Sequence, residues 1–304
     1  MHPWCNKIVE PSTALLAAVA GQMNAQTDLS PTAFWLVYNQ ASHSTDEALV
    51  AAFRERIASV GARIVGETDF PREPIPEIDE LEAADAEVLI AYGGDGTITC
   101  AASALSEWGG AILALPGGTM NLVPKKLHGD TDALAVLDRV LARPKRTALP
   151  YVSVGEHRSY ARIIAGPAAH LVSVREGVRD GDFRRAWRAL RLVWKLMFAA
   201  DVRIDTDDAK LSAVMVHAES GDLLAVDPVR KGGVFHALRL AWSWLGGLLL
   251  EDGALRREEL PRVRVEGRGR MHIVIDGEEM RLEGPLDLVP NAGASCFLVA
   301  DDDA

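Results

Sequence analysis

The sequence predicts an α/β domain built on a mostly parallel sheet, followed by a β-rich, sandwich-like domain. Three observations point there. Between residues 33 and 143, strand-length apolar runs alternate with helical patterns, the mark of βαβ units. Two of those runs, Glu87-Val-Leu-Ile-Ala91 and Ala111-Ile-Leu-Ala-Leu115, end in glycine-rich corners. From Tyr151 onward the pattern changes to short, closely spaced alternating stretches, as in an antiparallel sheet or sandwich.

The first domain reads in order. Phe34–Tyr38 is a strand, and Ser44-Thr-Asp-Glu47 is a capping box opening an amphipathic helix with Leu49, Phe53, Ile57 and Val60 on one side. Gly61 ends that helix, Arg63–Val65 gives the next strand, and Pro71 to Pro76 a rigid loop. The two strands with glycine corners follow, then a helix from Asp132 to Leu141, and the domain ends near Arg143-Pro144. In the second domain the expected strands include Ser159–Ile164, Leu211–His217, Arg262–Val265, Met271–Ile275, Met280–Glu283 and Cys296–Ala300. With 304 residues, 48% of them hydrophobic, the chain can bury a large core. The expected division is an extension over 1–30, the α/β domain over 31–149 and the β-rich domain over 150–304.

One helical pattern interrupts the second domain. Phe183, Trp187, Leu190, Trp194, Met197 and Phe198 form an apolar stripe, with Arg184, Arg185, Arg188, Arg191 and Lys195 beside it. It reads either as a core-facing helix with a solvated basic flank or as a membrane-surface helix. Gly246–Leu250, after Trp242 and Trp244, is a second stretch open to both readings.

Composition excludes several classes. The net charge of −11 disfavours nucleic acid as a partner, although screening over about 8 Å means that the local field, not the total, decides phosphate binding. No run reaches the roughly 18 uncharged apolar residues of a membrane span, and residues 1–30 make a weak signal peptide. Cys5, Cys100 and Cys296 lack pairing or metal-site spacing; they read as buried thiols in a reducing, cytoplasmic compartment. There is no G-x-x-x-x-G-K-[ST], no H-E-x-x-H and no G-x-S-x-G, and no G-x-G-x-x-G opens a helix after a strand.

The corners carry the chemistry. In Gly93-Gly-Asp-Gly-Thr97, glycines without Cβ atoms let the turn bring its N–H groups close to an anion, at the positive end of the helix that follows. Pro116-Gly-Gly-Thr-Met-Asn121 repeats the device after the next strand. Two such corners at strand carboxyl ends lie on the sheet edge where open α/β folds bind ligands. The backbone of Gly93, Gly94, Asp95, Gly96 and Thr97, and of Gly117, Gly118 and Thr119, can therefore hold phosphates. Asp95 beside them suits Mg²⁺, a hard cation that takes carboxylate oxygen, or accepts turn N–H bonds. Thr97 and Thr119 offer hydroxyls to phosphate or cap a helix. Asn121 binds nucleotide or caps.

These two corners, with the late Ile275-Asp-Gly-Glu278, resemble the diacylglycerol kinase catalytic-domain family, which includes bacterial lipid kinases and sphingosine kinases. The resemblance runs in family order over roughly residues 33 to 300. It implies an α/β nucleotide-binding domain shared in type with NAD kinases, then a β-rich domain holding the lipid. The implied activity is ATP- and Mg²⁺-dependent transfer of the γ-phosphate to a hydroxyl of diacylglycerol or a related lipid, by a cytoplasmic protein peripheral on the inner membrane face, with room for a homodimer. By resemblance, Asp276 is the leading catalytic base, Asp95 the runner-up, and Glu278 orients the base or binds metal. From the residues alone, Asp276-Gly277 is also what a hairpin turn looks like.

Asn39 matches the start of the family's Asn-Pro-x-x-Gly loop, here Asn39-Gln-Ala-Ser-His-Ser44, without its proline and glycine. Thr68 matches a threonine that touches ATP in relatives. The acceptor side departs most, with Ala165-Gly-Pro-Ala-Ala-His170 and Ser220-Gly-Asp-Leu-Leu224 where the family has other turns. NAD kinases share the first corner but neither the second nor the late Asp-Gly-Glu. They give one alternative, a soluble-acceptor kinase; a non-catalytic nucleotide- or lipid-binding regulator is the other.

Overall fold

A computed structural model describes residues 33–39, 47–118, 120–129, 132–166, 202–230, 257–267 and 269–301. The chain divides into two compact units, one comprising Tyr151–Asn291 and the other the residues before it together with Ala292–Ala304. The two stretches read as membrane-facing or core helices, Phe183–Phe198 and Gly246–Leu250, lie outside the described residues, as do the capping-box residues 44–46.

The α/β unit alternates strands and helices: β1 (Ala33–Tyr38), α1 (Glu47–Ser59), β2 (Arg63–Asp69), α2 (Ile78–Ala83), β3 (Val88–Gly93), α3 (Asp95–Ala104), β4 (Ala111–Pro116), α4 (Leu122–His128), α5 (Ala133–Ala142) and β5 (Pro144–Ala148). β3 and β4 are buried at every position, as expected of central strands covered on both faces. On one face, Val50, Phe53 and Ile57 of α1 and Val136, Leu137 and Val140 of α5 pack over Phe34, Leu36, Ile90 and Leu113. Gly61, in the left-handed region at φ 80, stops α1 as read from sequence. Helix α2, opened by a Glu77–Glu80 capping box, was not expected from the sequence.

The sheet order is β2-β1-β3-β4-β17-β5, where β17 is Cys296–Ala300. β1 through β4 run parallel, and the order reverses between β1 and β3, which is the switch point at which such sheets bind ligands. β17 pairs parallel to β4 and antiparallel to β5. Read from sequence among the strands of the second domain, it completes the first sheet instead; an apolar pentapeptide carries no mark of which sheet it joins. Cys296 there is a buried free thiol whose ionisation burial pushes up. Cys100 is disulfide-bonded rather than a thiol, which corrects that part of the reading.

The second unit is an 11-stranded sheet made of β6 (Tyr151–Val154), β7 (His157–Ser159), β8 (Ile163–Ala165), β9 (Val202–Ile204), β10 (Asp207–Ala218), β11 (Leu224–Arg230), β12 (Glu258–Leu260), β13 (Val263–Gly267), β14 (Arg270–Ile275), β15 (Glu278–Glu283) and β16 (Leu286–Asn291). Every pairing is antiparallel. The sheet's main path runs β15-β14-β8-β10-β9-β13-β16-β6-β7, and side chains from strands far apart along it, Val152 and Val154 of β6 with Ile273 and Ile275 of β14, share one apolar cluster. The sheet therefore curls around that cluster, as in a sandwich.

Candidate functional site

In the α/β unit the two glycine corners interlock. β3 and β4 are adjacent and in register, Gly93 opposite Pro116, so both corners leave the same sheet edge side by side. Gly117 donates its N–H to the Gly93 carbonyl at 2.9 Å. Gly118 packs on Gly94 so closely that a Cβ there would lie 2.6 Å from the Gly94 Cα, and a Cβ on Gly117 would lie 2.9 Å from the Gly93 nitrogen. A Cβ on Gly93 would meet Thr97 at 2.9 Å. The glycines thus serve backbone-on-backbone approach first.

Gly94 caps α3 in extended conformation, and the first helical hydrogen bond runs from Ile98 N–H to the Gly94 carbonyl. The N–H groups of Gly96 and Thr97 consequently have no acceptor within the helix. Together with the helix dipole they make an end whose chemistry suits an anion. The second corner differs from expectation. The Gly117 amide goes to Gly93 and the Gly118 amide to Asn121 Oδ1 at 2.8 Å, so neither is left to cradle a phosphate in this state. Thr119 lies outside the described residues.

Asp95 and Asn121 exchange the duties usually assigned to them. Asn121 is the N-cap of α4, in left-handed conformation at φ 50, but its side chain reaches back to Gly118 rather than forward to the helix. The forward bond, from Val123 N–H, is accepted at 2.8 Å by Asp95 Oδ1, 28 residues earlier. A carboxylate at that position caps α4 and complements its dipole. Asp95, 8% exposed, therefore ties the first corner to the second.

Along the same edge, Asn39 follows β1, and Thr68 stands one residue before the end of β2, buried, its Oγ1 accepting from Trp35 Nε1. His128 is buried against the Ala114 carbonyl, 3.1 Å from its Nε2.

Asp276 and Glu278 belong to the other unit, at the β14–β15 hairpin. Asp276 at φ 48 and Gly277 at φ 90 make the type I′ turn that Asp-Gly favours. The turn is not idle. Asp276 Oδ1 accepts from Ser159 Oγ, from Ala161 N–H at 3.1 Å and from Arg162 N–H at 2.8 Å, while Oδ2 accepts from Tyr160 N–H at 3.0 Å. Its own N–H donates to the Arg162 carbonyl at 3.0 Å. A buried carboxylate thus holds the whole Ser159–Arg162 segment between β7 and β8. Ser159, more than 110 residues away in sequence, had no signal that could have found it. Glu278 opens β15 opposite Ile275. Among the described residues no three His, Cys, Asp or Glu side chains cluster to hold a metal, and no helix is long and apolar enough to cross a membrane.

Comparison with known proteins points to the same resemblance. The profile described as the diacylglycerol kinase catalytic domain matches residues 33–151. A crystal structure described as a diacylglycerol kinase from Bacillus anthracis str. Sterne superposes with a TM-score of 0.62 at 13% identity, covering 91% of this chain and 99% of its own. A second from that organism, a candidate diacylglycerol kinase, gives 0.59 at 12% identity, covering 89% and 97%. No curated protein matches by sequence. The resemblance read from the motifs is borne out over residues 33–151, and the α/β plus β-rich fold over most of the chain.

Proposed function

We propose that this chain is an ATP- and Mg²⁺-dependent lipid kinase that transfers the γ-phosphate to a hydroxyl of diacylglycerol or a related lipid. The observation that supports this is the interlocked pair of corners at the switch point, presenting the N-terminus of α3 to an anion. Phosphoryl transfer asks mainly for held phosphates, neutralised charge and an aligned acceptor. Gly94, Gly96 and Thr97 would take the phosphates, with Asn39 and Thr68 on the nucleoside side. Gly93, Gly117, Gly118 and Asn121 would shape the loop rather than donate to the ligand.

The residues present fit Mg²⁺, which when bound neutralises phosphate charge and commonly takes one or two carboxylates, waters and substrate oxygens. Asp95 is the carboxylate for it here. A base for the acceptor's proton must offer a lone pair. Asp276 remains the leading candidate, because Oδ1 takes three of its four donors and Oδ2 only one, which leaves Oδ2 a lone pair; Asp95 is the runner-up. Glu278 beside the same turn would orient that segment. Lipid acceptors would bring the protein to the membrane surface from the cytoplasm.

The test is transfer of labelled γ-phosphate from MgATP to a mixed lipid extract, comparing wild type with Asp95→Asn. Labelled lipid from wild type, greatly reduced in the variant, is the expected result. ATP binding without labelled lipid would overturn the lipid reading; label on NAD would then identify a soluble-acceptor kinase. No label at all would leave a nucleotide-binding regulator.

A further inference from the structure

One buried hydroxyl lies near the proposed nucleotide edge. Trp35 of β1 lies opposite Gly66 of β2, and glycine is what admits the indole, since a Cβ at 66 would fall 2.4 Å from the ring. Two residues on, Thr68 is on the same face of β2, and Trp35 Nε1 donates to Thr68 Oγ1 at 2.9 Å. An indole nitrogen only donates, so the direction of this bond is fixed. The threonine oxygen has thereby accepted with one lone pair, and among the described residues this is the one hydrogen bond that its side chain makes. Thr68 is 4% exposed, and a buried hydroxyl proton without an acceptor is costly enough to call for one.

The position suggests the acceptor. Thr68 stands near the carboxyl end of β2, two strands from β3 in the order β2-β1-β3, hence about 10 Å from the first corner at about 4.8 Å per strand. That interval is on the scale of the ribose and phosphate chain separating a nucleobase from its terminal phosphates. We propose that Trp35 is a positioning residue that, by occupying one lone pair of the Thr68 hydroxyl, sets its proton toward an acceptor atom of the nucleobase. Base recognition then occurs over β2 and β1, and phosphate recognition at α3. The inference rests on the nucleotide reading above and adds a residue that binds no ligand itself.

The experiment is calorimetric binding of MgATP, and separately of magnesium tripolyphosphate, to wild type, Trp35→Phe, Thr68→Val, Thr68→Ser and the Trp35→Phe/Thr68→Val double variant. Phenylalanine keeps the ring over Gly66 and loses only the N–H. Trp35→Phe and Thr68→Val should each weaken ATP roughly three- to tenfold, the effect of one hydrogen bond. The double variant should be no weaker than Thr68→Val, Thr68→Ser should bind as wild type, and tripolyphosphate affinity should not move in any of them. Unchanged ATP affinity in Trp35→Phe, or an equal loss for tripolyphosphate, overturns the inference while leaving the nucleotide site standing. Wild type that binds tripolyphosphate but not ATP overturns base recognition; binding of neither overturns the nucleotide reading itself. Should Trp35→Phe fail to fold, the Thr68→Val and Thr68→Ser pair decides, because a threonine with no ligand contact would show no loss in the one and no rescue in the other.

Discussion

Replacing Asp276 by alanine separates two roles that activity alone confounds. The carboxylate accepts four hydrogen bonds, three from backbone amides and one from Ser159, in a buried setting. Hydrogen bonds to a charged group contribute about 1.5–3 kcal/mol each, so simple addition gives about 6–12 kcal/mol. Several kcal/mol of that are offset by the cost of burying the carboxylate, and water entering the vacated space offsets more. Removing one partner of a buried charged cluster typically costs about 3–5 kcal/mol, which we expect for Asp276→Ala. Ser159→Ala, which removes a single donor, should cost roughly 1–3 kcal/mol. The assay is urea unfolding combined with amide hydrogen exchange at Tyr160, Ala161 and Arg162, because two compact units need not unfold as one. Protection at those three amides should collapse in Asp276→Ala even under conditions where the rest of the unit stays folded. An Asp276→Ala protein within about 0.5 kcal/mol of wild type, with those amides still protected, would refute the clamp and return Asp276 to a purely chemical role.

Three further outcomes are expected. Gly118→Ala should lose about 1–3 kcal/mol from overpacking, because its Cβ meets the backbone of Gly94 at 2.6 Å; Gly94→Ala, whose Cβ has 3.7 Å to spare, should cost little by thermal unfolding. Asp95→Ala should cost about 0.5–2 kcal/mol as a lost helix cap, whereas Asp95→Asn keeps an oxygen for Val123 N–H and should melt like wild type; loss of MgATP affinity in Asp95→Asn would then report on charge, not on folding. His157 has its pKa lowered by burial, partly opposed by Glu156. The unfolded chain therefore takes up the proton first, and the stability that this group contributes is present above the ordinary histidine pKa and lost as pH falls from there toward the folded value. His157→Gln should flatten the fall in melting temperature between pH 7.5 and 5.5, and an unaltered slope would exclude His157 as the source.

What the sequence made legible follows from the range of the forces involved. Strands β3 and β4 and both corners could be read because apolar runs and glycine are local signals, and a parallel sheet puts the ends of its strands on one edge whatever else happens. The Asp276-Gly277 turn was equally visible as a hairpin. What Asp276 holds was not, because Ser159–Arg162 reaches it only through the pairing of β8 with β14. The same holds for Val123 and Asp95, and for Trp35 and Thr68: each bond depends on register, which no window of sequence contains. The second corner shows the converse error. Glycine content suggested free amides at 117 and 118, but close approach to the first corner and the Asn121 side chain use both.

The return of β17 sets the order in which the protein can be made. Its partners β4 and β5 lie some 150 or more residues upstream, so while the ribosome is still producing the β-rich unit, the α/β sheet has a gap where its fifth strand belongs. β4 is then an open edge of Ala, Ile and Leu, the kind of surface that pairs with other chains. A recombinant fragment ending near Pro150 would keep that edge for good and should aggregate, although it contains every residue of both glycine corners. Supplying Cys296–Ala300 through a short engineered connection, in place of the intervening unit, is the more promising way to isolate a folded nucleotide-side fragment.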